Sequence, residues 1–499
     1  MKKLIPLAII ALLFLSCDKQ KTKDSLLIDD EFIIENKVDS LLAKMTLKEK
    51  VGQMLNIGLP SILKGDYWDE RDSAVFDEKK FQKFIVDYAV GSIHNTPQYL
   101  AGSEEWYEIV KKIQDASLKN TRLGIPVLYG IDNIHGANYI KGSVLFPHQI
   151  ALAATWNREL SESNGEITSY ESRAASLPWN FNPNIDVAIN PLWGRISESF
   201  GEDPYLISEM GVAYLKGSQG ESLKNIESSA VCLKHFIGYG AGRNGKDRAN
   251  AIIPENSLRQ YFIPPFKKAI DQGAMGVMIS SNAVNGIPCH INKHYITDIL
   301  KGELGFKGVV ISDFSDVEFL IEAHEVTTSK REATKMAVNA GLDMLMNPYD
   351  IDVVDYIVEM VENNEISMTR IDDAVSKILR LKLELDLFKN PVTDYRNYEN
   401  FASNNSKKLA YQSACESITL LKNNNSILPI KKGAKILVAG PNGNSMRTLN
   451  GAWTYNWQGK FTDKFAESHN TIFESFFNVY GKDNVTFVSG VSYKENASF

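Results

Sequence analysis

The sequence has little excess charge and no histidine pair at a metal-binding spacing. Its 499 residues include 54 Lys and Arg against 61 Asp and Glu, a net charge of -7, and no long basic cluster interrupts this balance. Such a composition gives no electrostatic reason to expect a nucleic-acid partner. The eight histidines form neither an HxH nor an HExxH pattern. We therefore expect no catalytic metal and no cofactor.

Cysteine is too scarce to build a disulfide framework. Only Cys232, Cys289 and Cys415 follow the N-terminal segment, an odd number without metal-type spacing. This excludes the class of small secreted domains that are held together by disulfides. We expect the three cysteines to be small buried apolar residues.

The longest apolar run lies at the N-terminus, over residues 4–15, and it is too short and too early for an ordinary membrane-spanning helix. Two lysines precede it, and Ser16 and Cys17 end it before a polar stretch. This pattern resembles a bacterial lipoprotein signal in which Cys17 is lipidated, with a simple secretory peptide as the alternative. Both predict export, to the periplasm or the cell surface, with membrane attachment only through a lipid at Cys17. Residues 18–35 are predicted to be a solvated tether.

The most informative stretch is GFKGVVISDFSDVEFL, residues 305–320. Its β-branched run, Val309 to Ile311, ends at Ser312 and Asp313, and a helical pattern follows at once. This order predicts a buried parallel strand that carries a carboxylate at its C-terminal end, where (β/α) barrels keep their chemistry. The alternative is that Asp313 only caps the next helix, since Asp is a preferred N-cap residue.

The same pattern recurs along the chain at spacings that leave room for a helix in each connection. The other apolar runs and the polar residues that follow or interrupt them are 90–93 with His94 and Asn95, 125–131 with Asp132, 179–187 around Asp186, 230–233 with Lys234 and His235, 275–279 with Ser280 to Asn282, and 342–346 with Asn347. This recurrence predicts an α/β protein with a TIM-type (β/α) barrel over residues 36–385 and a site at its C-terminal face.

Both ends of the barrel carry recognisable signals. Residues 38–51 have helical spacing, with a capping box at Thr46 and Glu49, and Ile371–Leu385 reads as the last barrel helix. Polar residues 386–408 are predicted to be a linker. After it, a helix over residues 409–421 and a strand over residues 434–439 begin an α/β sandwich domain, which residues 409–499 are too few to complete.

Several long motifs resemble the family 3 glycoside hydrolases, particularly the two-domain β-glucosidase branch, and the similarity covers roughly residues 40–490. The motifs are GIDNIHGAN (130–138), NFNPNIDVAINPLWGRISESFGEDP (180–204), CLKHFIGYG (232–240), GFKGVVISDF (305–314), ESITLLKNNNSILP (416–429) and GAWTYNWQG (451–459). The resemblance implies a retaining β-glycosidase that hydrolyses terminal non-reducing β-D-glycosyl residues of oligosaccharides or β-glucosides.

The resemblance also assigns roles to residues. Asp313 takes the position of the nucleophile that forms a covalent glycosyl-enzyme. Glu198 is expected to orient Arg195 or Lys234. Charged side chains suit the hydroxyls of a neutral sugar, although any one of them could instead belong to a structural ion pair. The residues expected to bind the terminal sugar are Asp132, Arg195, Lys234 and His235.

A retaining mechanism needs a second carboxyl as general acid and base. In the two-domain branch this Glu follows the segment matched here by residues 484–492, so we expect the acid/base beyond Phe499, and Glu495 is not a convincing substitute. The β-N-acetylglucosaminidase branch instead uses a His in a Pro-Gly-His-Gly motif. Residues 237–240 read IGYG here, which argues against that branch.

Two positions depart from the family pattern. Ser281 replaces a frequent Tyr, which puts in doubt a hydroxyl that supports the nucleophile, and Phe314 replaces a frequent Trp, which makes the leaving-group platform smaller. Trp453 and Trp457 could form a sugar platform or pack between domains.

Two other classes of function remain open at this point. The chain could be a sugar-binding pseudoenzyme or an inactive fragment, because the acid/base is not recognisable in it. Alternatively, Lys234 could form a Schiff base in a lyase, a reading weakened by the absence of a phosphate-binding Gly-rich turn near residue 347.

Overall fold

Eight short parallel strands form the centre of the protein in the computed structural model, which describes residues 31–491. They are β1 (Leu55–Gly58), β2 (Ser92–His94), β3 (Leu128–Ile131), β4 (Trp179–Asn180), β5 (Ala230–Phe236), β6 (Gly276–Ile279), β9 (Val309–Ile311) and β10 (Leu345–Met346). Two further pairs are the hairpin β7 (Ala283–Val284) and β8 (Ile287–Pro288), and the parallel pair β11 (Ile436–Ala439) and β12 (Val485–Val488).

The eight strands close into a barrel. Their order is β10-β1-β2-β3-β4-β5-β6-β9, and backbone hydrogen bonds join the two ends of this order. Met344 N donates to Val310 O at 3.0 Å, and Ser312 N donates to Met344 O at 3.1 Å. The predicted TIM-type barrel is therefore confirmed. Every strand that precedes a predicted site residue delivers it to the same, C-terminal rim.

Helices fill the connections between the strands. They are α1 (which includes residues 31–44), α2 (Leu47–Gln53), α3 (Glu78–Phe81), α4 (Ser103–Asn120), α5 (Gln149–Ala154), α6 (Arg158–Ala174), α7 (Pro204–Gln219), α8 (Glu255–Ser257), α9 (Ile263–Ile270), α10 (Asp316–Glu322), α11 (Lys330–Ala340), α12 (Asp352–Glu362), α13 (Met368–Glu384), α14 (Asn404–Ser417), α15 (Met446–Asn450), α16 (Thr462–Phe465) and α17 (Ile472–Tyr480). Three π-helical stretches lie at Gln82–Asp87, Leu258–Phe262 and His294–Glu303.

One predicted strand is much shorter than expected. The apolar run at 179–187 forms only the two residues of β4, because polar side chains bond their own backbone in the rest of the run. Asn182 Oδ1 accepts from Asn184 N at 3.0 Å, and Asn184 Oδ1 accepts from Asp186 N at 2.9 Å. Such turns compete with a strand ladder, and Pro183 has no N–H to donate.

The N-terminal helical pattern at 38–51 forms two helices, with a break at residues 45 and 46. Thr46 and Glu49 form the expected capping box, but they open α2 rather than lie within one helix. Residues 31–35 of the predicted tether lie in α1, where Ile34 is buried. The predicted signal and Cys17 lie outside the described residues. Among the described helices, none combines the length and the apolar character needed to cross a bilayer.

The segment after α13 packs on the barrel. Ser176 Oγ donates to Thr393 O at 3.0 Å, and Thr393 N donates back to Ser176 Oγ at 3.1 Å. The helix predicted at 409–421 is α14, which begins five residues earlier than expected, at Asn404. The division into a barrel, a linker and a second domain stays a prediction.

The expectation for the cysteines holds in part. Cys232 and Cys289 are buried, but Cys415 is exposed, so the prediction is wrong for Cys415. The physical reason is that the end of α14 that carries Cys415 faces solvent, since Tyr411 on this helix and Ile418 directly after it are largely exposed as well.

Candidate active site

Asp313 lies directly after β9, at the C-terminal rim of the barrel, and its side chain is 14% exposed. Its Oδ1 accepts a hydrogen bond from Phe314 N at 2.6 Å, and its Oδ2 accepts one from Ser281 Oγ at 3.0 Å. Ser281 therefore supplies a hydroxyl contact to Asp313, which was in doubt because Ser replaces the frequent Tyr at this position. The N-cap position of α10 is occupied by Ser315, so the alternative that Asp313 only caps this helix is wrong.

Positive charge surrounds the Asp313 carboxyl. Burial alone raises the pKa of this group, but the charges of Arg195 and Arg248, the Phe314 N–H and the Lys234 ammonium outweigh burial and lower it below the usual value. Asp313 is therefore ionised at neutral pH. An ionised carboxylate at this position is available as a nucleophile.

Two ion pairs stand beside Asp313. Lys234, which follows Leu233 within β5, places its Nζ 2.6 Å from Asp132 Oδ1 at the end of β3. Arg195 forms a two-pronged pair with Glu198, with Nε and one Nη each 2.8 Å from a carboxylate oxygen. The structure thus pairs Glu198 with Arg195, one of the two partners that the sequence left open. Both pairs leave part of one partner exposed, 23% for Asp132 and 19% for Arg195.

His235 lies between the Asp313 carboxyl and a further carboxyl. Its Nδ1 lies 2.7 Å from Asp186 Oδ2, and its Nε2 lies 3.6 Å from Asp313 Oδ2. Burial raises the pKa of Asp186 to about 8 and lowers that of His235 well below its usual value. Asp186 fixes the orientation of the imidazole, so that Nε2 faces the site.

All five residues predicted to act directly on the sugar meet at one rim of the barrel. Sequence reasoning placed Asp186 within a strand but gave it no role, and it missed Arg248. The sequence did contain a signal for Asp186, since this residue belongs to NPNIDV, a part of the family motif at residues 180–204. Arg248 lies in a loop 12 residues after β5, where no strand spacing marks it.

An aromatic wall borders the site. We use this name for Tyr67, Trp68, Phe314, Tyr349 and Trp457. Ring centroids of Trp68 lie 5.9 Å from Phe314 and 6.0 Å from Trp457, and Tyr67 lies 4.8 Å from Tyr349. Trp68 and Trp457 are both 50% exposed. The smaller ring of Phe314 is thus extended by an indole from the loop after β1, and an exposed apolar surface of this kind suits a sugar or aryl ring.

A pair of stacked histidines joins the barrel to the segment that carries Trp457. The rings of His135 and His148 lie 4.1 Å apart at 22°. His135 Nε2 contacts Trp453 O at 3.2 Å, and His148 Nε2 contacts Asn450 O at 2.8 Å. Trp453 itself lies over the Lys234 ammonium, 5.3 Å from ring centroid to nitrogen. We call residues 450–457 the docked segment.

Comparisons with known proteins agree with this geometry. The profile described as Glycosyl hydrolase family 3 N terminal domain matches residues 46–381. The chain is 38% identical over 444 residues to a lysosomal beta glucosidase of Dictyostelium discoideum, which covers 85% of this chain and 53% of that protein. It is 32% identical over 423 residues to a periplasmic beta-glucosidase of Salmonella typhimurium, which covers 84% of this chain and 52% of that protein.

A solved structure is similar over nearly the whole chain. The beta-glucosidase from Listeria innocua in complex with glucose superposes with a TM-score of 0.77 at 30% identity, covering 92% of this chain and 61% of that one. The chain spans about half the length of the two curated relatives named above.

Proposed function

This chain belongs to glycoside hydrolase family 3, and from that premise we propose that it acts as a retaining β-glycosidase of the β-glucosidase type. It removes terminal β-D-glycosyl residues from the non-reducing ends of oligosaccharides or glycosides, with glucose as the preferred sugar. The observation that carries the proposal is the Asp313 carboxyl at the end of β9, faced by His235 and by the Lys234–Asp132 pair. The glucose complex of the Listeria innocua enzyme supports the choice of sugar.

The proposed chemistry is a double displacement. The hydrogen bonds from Phe314 N and Ser281 Oγ each occupy one lone pair of the Asp313 carboxylate. A remaining lone pair attacks the anomeric carbon while the glycosidic C–O bond breaks, and the leaving group departs with the bonding electrons and, where it needs one, a proton from the general acid. The negative charge stabilises the oxocarbenium-like transition state, and a covalent glycosyl-enzyme forms. Water then loses a proton to the general base and attacks the same carbon from the opposite side, which breaks the bond to Asp313 and frees its carboxylate, so two inversions give net retention.

The proposed binding groups follow from the two ion pairs. Asp132 and Arg195 are already fixed by Lys234 and Glu198, so the protein does not have to order them when a sugar enters. Their partly exposed polar atoms accept from and donate to sugar hydroxyls. The Lys234 ammonium is held by Asp132 and covered by Trp453, an environment that suits a hydrogen-bond donor better than a Schiff-base amine.

The general acid/base is proposed to come from outside the described residues. Among the residues that the structure describes, the other carboxyls around Asp313 are engaged or enclosed. Asp132 pairs with Lys234, Asp186 with His235 and Glu198 with Arg195, and Asp316 is fully buried. A test of the proposal should therefore use a leaving group that needs no proton.

The first prediction is covalent labelling of the wild-type chain. Incubation with 2,4-dinitrophenyl 2-deoxy-2-fluoro-β-glucoside should add one fluoroglucosyl group, because this leaving group departs without acid assistance and the fluorine slows hydrolysis of the intermediate. Mass spectrometry of the intact chain measures the addition, and peptide mapping should place it on the peptide that contains Asp313.

Folding is verified first by circular dichroism and a cooperative melting transition. A folded chain that gains no mass would contradict the proposal and favour a sugar-binding pseudoenzyme. An adduct on a different carboxyl would leave a glycosidase but reject Asp313 as its nucleophile.

The second prediction concerns the aromatic wall. Trp68→Ala should weaken binding of the dinitrophenyl glucoside about 2- to 10-fold, since an aromatic contact contributes about 0.5–1.5 kcal/mol. The labelling rate at saturation should change little, because Trp68 does not contact the Asp313 carboxyl. Trp156→Ala is the matched control, since Trp156 is exposed but lies outside the wall. Equal effects of the two substitutions would reject the wall as a leaving-group site.

Export to the periplasm or the cell surface is part of the proposal. The similarity to a periplasmic beta-glucosidase supports it, together with the apolar run and Cys17 at the N-terminus. The lipid anchor at Cys17 remains a prediction from the sequence.

A further inference from the structure

The loop after β1 is folded around one arginine. We use the name β1 loop for residues 64–71. The guanidinium of Arg71 donates to three backbone carbonyls of this loop, through Nε to Lys64 O at 3.2 Å, through Nη1 to Asp69 O at 2.9 Å and through Nη2 to Asp66 O at 2.6 Å. The planar guanidinium, with its fixed N–H donors, can hold several acceptors at once. One side chain thus joins the beginning of the loop to its end.

Two of these carbonyls belong to the turn that carries two residues of the aromatic wall. Asp69 N donates to Asp66 O at 3.2 Å, so Tyr67 and Trp68 occupy the two central positions of a four-residue turn. Arg71 bonds the carbonyls of the first and the last residue of this turn. A further bond closes the turn, since Asp66 N donates to Asp69 Oδ2 at 2.7 Å. The place of the two aromatic side chains therefore depends on Arg71.

The turn also fits closely on the rim of the barrel. A Cβ at Gly58, the last residue of β1, would lie 2.1 Å from the Tyr67 hydroxyl, and Asn95 Nδ2 donates to that hydroxyl at 3.1 Å. Tyr67 thus anchors the turn to the barrel. The next residue, Trp68, keeps half of its surface exposed, and its ring centroid lies 5.9 Å from that of Phe314.

The contacts of Arg71 are those of a structural support and not of a sugar-binding group. Its Nε and both of its Nη atoms donate within the β1 loop. The carboxylates of Asp66 and Asp69 also lie near enough to act on its charge. The effect of Arg71 on a substrate must therefore pass through the residues that the loop carries.

We propose that Arg71 is a positioning residue for the leaving-group side of the site and that it acts through Trp68. By holding the turn, it keeps the indole on the aromatic wall before a substrate enters, so that binding does not have to order the loop. The inference rests on the proposed function, since it concerns the leaving group of the same reaction. It extends the control of leaving-group preference to a residue outside the wall.

The test compares two reagents that label the same nucleophile but differ in the leaving group. The dinitrophenyl fluoroglucoside presents an aryl ring to the wall, whereas 2-deoxy-2-fluoro-β-glucosyl fluoride releases only fluoride. Arg71→Met should raise the concentration of the aryl reagent that gives half-maximal labelling about 2- to 10-fold, as expected for Trp68→Ala. The labelling rate at saturation should stay the same. With the fluoride reagent, both variants should stay within about twofold of the wild type.

Two outcomes of this comparison would overturn the proposal. Arg71→Met could impair labelling by both reagents alike, which indicates a general loss of structure, or it could leave the affinity for the aryl reagent unchanged. Arg71→Lys repeats the comparison with less disturbance, because it keeps the charge but lacks the planar fork. Its affinity for the aryl reagent should fall between those of the wild type and Arg71→Met.

A double variant tests whether Arg71 acts through Trp68. Arg71→Met combined with Trp68→Ala should bind the aryl reagent no more weakly than Trp68→Ala alone, since the arginine has no indole left to position. Multiplicative losses would show that Arg71 affects the leaving group independently, contrary to the proposal.

Hydrogen exchange of the β1 loop gives a readout that does not require activity. The amides of Asp66, Asp69 and Arg71 are all hydrogen-bonded. The peptide that spans the loop should therefore exchange faster in Arg71→Met than in the wild type. Equal exchange in the two proteins would overturn the claim that Arg71 holds the loop.

Arg122→Met is the matched control. Arg122 also donates to a backbone carbonyl and a carboxylate, Lys44 O at 2.7 Å and Glu49 Oε1 at 2.9 Å, and these contacts lie at the start of α2, away from the wall. The control should change neither exchange of the β1 loop nor labelling by either reagent.

Failure of this inference and failure of the glycosidase function give different results. A folded wild type that neither reagent labels contradicts the glycosidase function, and hydrogen exchange then still decides whether Arg71 holds the loop. A wild type that both reagents label, with an Arg71→Met variant of unchanged affinity and unchanged exchange, contradicts only the role of Arg71.

Discussion

Replacement of Asp313 by Ala should lower the rate of glycosyl-enzyme formation by roughly 10⁴- to 10⁶-fold, the size of loss expected when a covalent nucleophile is removed. Within residues 31–491, the neighbouring carboxyls of Asp132, Asp186 and Glu198 are each held in a pair, so none of the three is free to replace it. The measurement is the rate of dinitrophenolate release from dinitrophenyl β-glucoside, recorded beside the mass of the chain. Asp313→Asn should behave in the same way, with a melting temperature within about 5 °C of the wild type.

A chemical rescue separates loss of the nucleophile from loss of structure. Azide can occupy the space vacated in Asp313→Ala and attack the anomeric carbon once, so the product should be α-glucosyl azide, with inverted configuration. Asp313→Asn retains the side-chain volume and serves as the matched control that azide does not rescue. Rescue that yields β-glucosyl azide would mean that another group on the protein forms the covalent intermediate, contrary to the assignment of Asp313.

The second large effect is expected at the Lys234–Asp132 pair. Lys234→Met and Asp132→Asn should each lower the second-order labelling rate constant roughly 10²- to 5 × 10³-fold, because removal of one partner of an enclosed pair costs about 3–5 kcal/mol and leaves the other partner unsatisfied. The double variant should lose much less than the product of the two single losses, since the residues act as a unit. Fully multiplicative losses would show that the two side chains bind the sugar independently.

A substrate with one hydroxyl removed tests whether this pair binds the sugar. Deoxygenation of the hydroxyl that the pair binds should slow the wild type but have little further effect on Lys234→Met. Lys50→Met is the matched control, since Lys50 Nζ lies 2.6 Å from Asp372 Oδ1, the same distance as in the Lys234 pair, at a position away from the site. The control should label within about twofold of the wild type. Equal sensitivity of all variants to every deoxy substrate would reject the binding role.

The barrel could be predicted from the sequence because most of its strands are apolar runs that end in a polar residue. Val309–Ile311 was predicted to the residue, as the structure shows for β9. The first strand, β1, was missed. It follows α2 after a single residue, so no turn separates the two patterns, and Asn56 interrupts its apolar run. The buried Asn56 side chain donates to Ser92 Oγ at 2.6 Å, an interaction that forms only when β1 pairs with β2.

The sequence predicted which side chains meet at the rim of the barrel, but not all of those that surround Asp313. Asp132, Lys234 and Asp313 are marked by their positions at or near strand ends. Arg248 lies in a loop, and His290, whose Nε2 accepts a hydrogen bond from Asp313 N at 3.2 Å, lies in a short turn. Neither position has a periodic signal. Their roles depend on distances of a few ångströms across elements that are distant in sequence, and those distances are fixed by packing.

The stacked histidines make attachment of the docked segment sensitive to acid. Burial lowers the pKa of His135 to about 3 and that of His148 below its usual value, so both rings are neutral when the segment is docked. In an unfolded chain each would take up a proton near pH 6.5, and stability of this contact therefore falls as pH drops from about 6.5 towards 3. Two protonated rings 4.1 Å apart would also repel each other. Trp457 belongs both to this segment and to the aromatic wall. Strong acid should therefore weaken the preference for particular leaving groups at a higher pH than the one at which Asp313 becomes protonated and the proposed activity is lost.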